Sequence, residues 1–181
     1  EQQLKLYTEV VSNSSEAIAI LDSQGKYIEQ NAAHQELIGY SDEELAGATP
    51  AIHLGETQFA RVLEELSTTG RYRGELVSRT RSGAEVHIEL AAFALKDETG
   101  RPVCYAGIKR DITQRKQDEE TLQARARQQA AVAILGQLAL SESSLTALFD
   151  EAVTLVAQTL GVEYVKVLEL LPDGQLLLRA G

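Results

Sequence analysis

Three histidines, one cysteine and two acidic triplets hold most of the side chains in this sequence that could do chemistry: His34, His53, His87, Cys104, Asp42-Glu43-Glu44 and Asp118-Glu119-Glu120. Imidazole titrates near neutrality and ligates metals, so each histidine is a candidate for proton transfer or ligand contact. His87 lies between Val86 and Ile88, and strand alternation turns it away from the face those two would bury. A single cysteine builds neither a disulfide framework nor a cysteine zinc site, and Cys104 reads as a small, buried or half-buried apolar residue. The acidic triplets stand where helices begin and read as helix starts and solvated faces rather than acid–base pairs. No G-x-G-x-x-G or Walker-type loop, phosphoacceptor-histidine motif or kinase ATP site occurs, so no catalysis is expected of this segment.

The bulk properties narrow the field further. A net charge of −10 over 181 residues, with a pI near 4.8, excludes the basic footprint that nucleic acid or an anionic membrane surface requires. No apolar run approaches the ~18–20 residues that span a bilayer, and the polar opening Glu1-Gln2-Gln3 is not a signal peptide. Methionine is absent even from position 1. The expectation is a cytoplasmic segment of a larger protein, with any membrane anchor outside it.

The elements that must position these side chains follow from periodicity. Residues 1–15 predict an amphipathic helix through Leu4, Tyr7, Val10 and Val11. Ala17 to Leu21, the turn Asp22-Ser23-Gln24-Gly25 and Tyr27-Ile28 predict a β-hairpin. Asn31 caps a short helix ended by Gly39, and Ser41-Asp42-Glu43-Glu44 fits a capping box that starts another. Thr57 to Thr69 carries Phe59, Val62, Leu63 and Leu66 on one helical face, with Gly70 as its stop. Three strands follow, Tyr72 to Arg79, Val86 to Leu95 and Val103 to Ile112, joined by short turns that make them antiparallel. This order predicts an α+β domain, an antiparallel sheet with helices on one face. From Thr113 to Leu140 only Gly136 interrupts a helix, and a heptad through Ile112, Arg115, Glu119, Leu122, Ala126, Gln129, Ala133, Gly136 and Leu140 makes a poor coiled-coil seam. Ser143 or Ser144 then caps a helix ended by Gly161, and a hairpin turns at Pro172-Asp173-Gly174. One helix and one hairpin are too little for an independent core.

Residues 1–113 resemble a PAS domain. The resemblance rests on Asn31-Ala32-Ala33-His34, on Leu37-Ile38-Gly39-Tyr40-Ser41-Asp42-Glu43-Glu44-Leu45-Ala46-Gly47, on Gly74-Glu75 with Arg79-Thr80-Arg81-Ser82-Gly83, and on Gly107 to Thr113 with its closing Asp-Ile-Thr. It implies a PAS-like five-stranded antiparallel sheet with helices on one face. The stretch 114–142 is then a signalling or coiled-coil linker helix. Residues 143–181, with Gly161-Val162-Glu163-Tyr164-Val165-Lys166-Val167-Leu168-Glu169-Leu170 and the later Pro172-Asp173-Gly174, resemble the opening of a GAF domain, a truncated helix plus β-hairpin.

PAS and GAF modules in tandem are sensory input and relay parts of bacterial sensor histidine kinases and of cyclic-dinucleotide enzymes such as diguanylate cyclases. The resemblance therefore implies relay of a ligand- or partner-induced change to a downstream kinase or cyclase domain. Its expected ligand-binding residues are His34, Leu37, Ile38, Val62, Leu66, Ser78, Ile88 and Leu90, with Ala92 in the same alternation. His34 stands where the family carries an aromatic residue and is read first as a satisfied, half-buried histidine, and as the ligand contact if a small polar ligand binds. Asp111, Ile112 and Thr113 are the expected relay junction, with Arg79 or Arg81 pairing with Asp111. No cofactor is expected. Flavin is disfavoured because Ala48-Thr49-Pro50-Ala51 lacks the reactive cysteine and because Ser78, Ile88 and Lys109 stand where flavin-facing amides belong. Haem would require His53, read otherwise as a loop residue. Homodimerisation through the N-terminal and linker helices is expected, and the rival readings are a haem-binding redox or gas sensor and a ligand-free dimerisation module.

Overall fold

The computed structural model describes residues 9–141 and 144–181. Residues 9–12 form a helical turn, in which Val11 is buried and Val10 exposed. The predicted helix residues Leu4 and Tyr7 lie outside the described residues, as does Ser143.

The first hairpin pairs β1 (Ala17–Asp22) with β2 (Tyr27–Gln30). Helix α1 (Ala32–Ile38) begins at Asn31, whose side chain accepts from the His34 amide, and ends at Gly39, where φ is 77°. Glycine enters this left-handed conformation without the Cβ clash other residues meet. The predicted capping box is present at α2 (Asp42–Leu45): Ser41 and Glu44 each bond the other's backbone N–H. A one-turn helix, α3 (Ala51–Leu54), precedes α4 (Glu56–Thr69). The sequence predicts only a loop around His53, because the four residues of α3 are too few to show a period. The meander β3 (Arg71–Arg79), β4 (Glu85–Lys96) and β5 (Pro102–Asp111) completes a five-stranded antiparallel sheet in the order β2-β1-β5-β4-β3.

The pairing of β1 with β5 is the long-range step that closes this sheet, setting Ala17 beside Lys109 and Leu21 beside Tyr105. β4 holds the other side of β5, with Leu90 beside Lys109 and Ile88 beside Asp111. Leu54, Val62, Leu66, Tyr72, Leu76, Ile88, Leu90, Ala92 and Tyr105 form one buried cluster. Ala19, Tyr27, Ile38 and Leu45 form a second, and Leu21 and Leu37 pack against both. The inward residues of β4 and β5 alternate as pleating requires, leaving His87 half-buried on the opposite face with Cys104.

Asn31 does more than cap. Its Oδ1 accepts from the amides of Ile18 and His34, at 2.9 and 3.0 Å, and its Nδ2 donates to the carbonyls of Val11 and Glu16, at 3.0 and 2.9 Å. One buried amide therefore fastens the N-terminal segment, β1 and α1 together.

The chain divides into two compact units between Lys116 and Gln117. Helix α5 (Thr113–Ser141) begins in the first unit and continues into the second. Its apolar residues are not gathered on one side, and Leu122, Val132, Ile134 and Leu140 are exposed. In the second unit Ser144 caps α6 (Leu145–Leu160), Gly161 ends it, and β6 (Val167–Leu170) pairs with β7 (Leu176–Ala180). No helix among the described residues is long and apolar enough to cross a membrane.

Candidate functional site

Strand alternation places Tyr105, Gly107 and Lys109 of β5 on the core face, so the sheet carries a lysine into its own interior. Lys109 is only 4% exposed. Its Nζ lies 2.6 Å from Nε2 of His34 on α1 and 3.1 Å from Nε2 of His53 on α3. Both histidines are buried, at 0% and 2% exposure. His34 Nδ1 sits 2.7 Å from Gln30 Oε1, while Gln30 Nε2 donates to the Tyr40 carbonyl at 3.0 Å and so fixes which end of the amide meets the ring. His53 Nδ1 sits 3.0 Å from the Ser78 hydroxyl, and the Tyr27 hydroxyl is 2.7 Å from His53 Nε2.

This pattern assigns the protons. While charged, Lys109 only donates, so both Nε2 atoms accept from it and each neutral ring carries its hydrogen on Nδ1, a tautomer that the Gln30 carbonyl fixes for His34 in either state of the lysine. The Tyr27 hydroxyl then donates to the same His53 Nε2, sharing its one lone pair with Lys109. No buried side-chain nitrogen or oxygen among the described residues lacks a partner. No carboxylate contacts Lys109 among them either, although buried charges are ordinarily paired. Burial therefore pushes the Lys109 ammonium down to about 7. Burial first, and then the Lys109 charge, hold both imidazoles far below the usual histidine range, and burial raises the Tyr27 phenol. The cluster thus carries one exchangeable charge near neutral pH, and it belongs to the lysine.

Beside Lys109 and Tyr27 lies a cavity of about 40 Å³ with mainly apolar walls, including Leu21, Leu54, Val62, Leu66 and Leu90. Of the residues expected to bind a ligand, Val62, Leu66 and Leu90 border this space. Ile38 and Ile88 are sealed in the core, and Leu37 packs against it. His34 and Ser78 belong to the polar cluster instead, and His34 is fully rather than half buried. The interior is largely filled, since ligand pockets of drug-sized molecules measure ~300–1,000 Å³. Sequence reasoning missed Lys109 as a site residue. The signal was present: it lies in phase with Tyr105 on one face of a strand.

Two residues further along β5 the chain turns into α5. Asp111 Oδ1 accepts from the Thr113 amide at 2.8 Å, while the Thr113 hydroxyl accepts from the His87 amide of β4 at 3.0 Å. Ile112 N donates to the His87 carbonyl at 2.8 Å. Glu75 of β3 pairs with Arg115 at 2.7 Å and with Lys116 at 2.5 Å, and the hydrogen bond from Lys116 holds its carboxyl below the usual range. The expected pairing of Arg79 or Arg81 with Asp111 is corrected: Arg79 pairs with Glu85 and Arg81 with Glu44. Register explains the difference, because Arg79 lies directly across from Glu85 whereas Asp111 lies across from Ile88.

The chain belongs to the PAS fold family, whose model matches residues 11–117. It is similar to the PAS domain of a protein from Colwellia psychrerythraea, with 28% identity and a TM-score of 0.57 over 62% of this chain and 98% of that one. It is also similar to a domain of a sensory box sensor histidine kinase/response regulator from Geobacter sulfurreducens, at 26% identity and TM-score 0.53 over 60% of this chain and 94% of that one. An RNA-binding light-oxygen-voltage receptor shares the fold at 19% identity and TM-score 0.60, over 68% of this chain and 37% of that one. No curated protein matches the chain.

Two cofactors known from this fold can be tested against the residues present. A haem ligand needs a free imidazole nitrogen, and both nitrogens of His53 are already in hydrogen bonds. With only about 40 Å³ of adjoining space, these residues do not fit a haem. At the positions expected to face a flavin, Ser78 bonds His53, Ile88 is sealed in the core and Lys109 joins the cluster, so none offers an amide edge.

Proposed function

We propose that this chain is the sensory input and relay segment of a multidomain bacterial signalling protein, of the sensor histidine kinase or diguanylate cyclase type. The observation that carries the reading is the position of the Lys109 cluster two residues from the Asp111-Ile112-Thr113 junction on β5. A change in charge or occupancy at Lys109 displaces the strand whose end sets the first turn of α5. That turn is held by single hydrogen bonds and exposed ion pairs, each worth ~0–1.5 kcal/mol. Such contacts are weak enough for a few kcal/mol at the cluster to redistribute two helix states.

The same reading takes the second unit as the opening of a GAF domain, supported by its order of capped helix and then hairpin. It takes two copies to pair through α5, supported by the exposed Leu122, Val132, Ile134 and Leu140. A monomer by sedimentation at tens of micromolar, where modest interfaces assemble, would remove the pairing. The relay itself is tested with Asp111→Ala. The domain should stay folded by circular dichroism, because the cap is worth about 1–2 kcal/mol at most, while basal output of the parent protein shifts and its response to signal weakens. Unchanged output and response in the folded variant would place the relay elsewhere.

A further inference from the structure

The Lys109 cluster has the composition of a reactive site rather than a structural pair. A neutral lysine amine has two N–H groups and one lone pair. Here two acceptors, Nε2 of His34 and Nε2 of His53, take the two hydrogens at 2.6 and 3.1 Å. The lone pair is left to the remaining tetrahedral direction. Lys109 also borders the small apolar cavity, together with Tyr27. An amine whose hydrogens are anchored and whose charge is disfavoured by burial is the usual form of a nucleophilic lysine. The space beside it is about 40 Å³, three or four times the ~10–15 Å³ that one water needs. It therefore admits an uncharged electrophile of about three heavy atoms and excludes aldehydes of metabolite size.

We propose that Lys109 is a site of reversible carbamylation by carbon dioxide. The Lys109 nitrogen attacks the carbon, an N–C bond forms, and one C=O electron pair moves onto oxygen. The proton lost from nitrogen passes to Nε2 of His34 or His53, whose basicity rises as the negative carbamate replaces the positive charge of Lys109 beside them. The product is a carbamate, with one negative charge, beside an imidazolium, with one positive charge. Atoms and electrons balance without an oxidant or a further reactant. The buried site, which holds an unpaired cation when Lys109 is protonated, then holds a neutral ion pair, the arrangement buried charges require. The Tyr27 hydroxyl is the neighbouring donor for a carbamate oxygen. Any consequence for output rests on the relay reading above, but the adduct does not, so the decisive experiment reads the adduct alone.

The experiment uses the whole chain with carbon-13 bicarbonate and carbon NMR. A carbamate resonance should appear in the folded protein, grow with dissolved carbon dioxide, and disappear in Lys109→Gln. Its intensity should fall at least about tenfold when the same sample is unfolded in urea, because an ordinary lysine amine is under about one per cent free base near pH 8. The urea arm needs no variant, so it decides the matter even if Lys109→Gln folds poorly. The exposed Lys26, Lys96 and Lys166 are internal controls. The α-amino group also reacts near this pH, but its signal survives unfolding. No resonance beyond that of the α-amine, or one that persists undiminished in urea, would overturn the proposal.

Discussion

Lys109 and Asp111 stand two residues apart on one strand, with opposite charges and opposite circumstances. Lys109 is buried, bonded to two neutral rings and paired with no carboxylate among the described residues. Asp111 is exposed and spends its carboxylate on a backbone amide at the start of a helix. At Lys109 a change of charge involves desolvation, where each pKa unit is worth ~1.4 kcal/mol. At Asp111 everything is screened and worth little. The difference shows where this domain stores energy and where it releases it: a strongly biased group sits beside a weakly held junction.

The largest expected effect lies on the buried side. Lys109 titrates at 10.5 when unfolded and at about 7 when folded. Between those values the unfolded chain holds a proton that the folded chain has released, so stability rises with pH across this window. The gain is several kcal/mol. The two histidines act in the acid range: their folded values lie below 6.5, so stability is lost as pH falls below 6.5. Tyr27 acts in the opposite sense, since its raised value costs stability above pH 10. Urea-unfolding midpoints should therefore climb from about pH 7 to about 9.5 and flatten over that range in Lys109→Met. Equal slopes in both proteins would mean that Lys109 is paired in a way the structure does not contain.

Asn31→Ala comes next, because it removes the side-chain partner of the Ile18 and His34 amides and of the Val11 and Glu16 carbonyls, of which His34 keeps the Asn31 backbone carbonyl and Val11 keeps the Ser14 amide. A loss of about 2–4 kcal/mol is expected, read as a lower urea midpoint with an unchanged slope. The exposed side responds least. Glu75→Gln removes the ion pairs to Arg115 and Lys116. It should leave the midpoint almost unmoved while speeding amide exchange in the first turn of α5, and ~1 M salt should produce the same acceleration in the unmutated chain. A large fall in midpoint would mean that the junction holds the fold rather than reports on it.

Much of this architecture is legible in the sequence because it is local. Asn31, Gly39, the Ser41–Glu44 box and the turn residues announce their elements through short-range hydrogen bonds and backbone preference, and the structure carries each of them. The partner of β5 is not legible, since nothing local says that Ala17 meets Lys109 across the sheet. The site was only half legible for the same reason. His34 stands out as a departure from a motif, but its hydrogen-bond partners Lys109 and Gln30 come from β5 and β2, and His53 is a site residue only because a one-turn helix buries it against Ser78 of β3. Lys109 shows in strand phase, yet a lysine in an alternating strand is ordinarily solvated, and only the closed sheet determines which face is dry.

Relay through β5 requires that Lys109 and the α5 junction be coupled. Amide exchange of Thr113, Gln114, Arg115 and Lys116, corrected for its intrinsic pH dependence, should be compared on either side of the Lys109 transition near pH 7 in the unmutated chain and in Lys109→Met. Protection of these four amides should change across the transition in the unmutated chain and stay constant in the variant. Identical protection on both sides of the transition in the unmutated chain would contradict relay through β5.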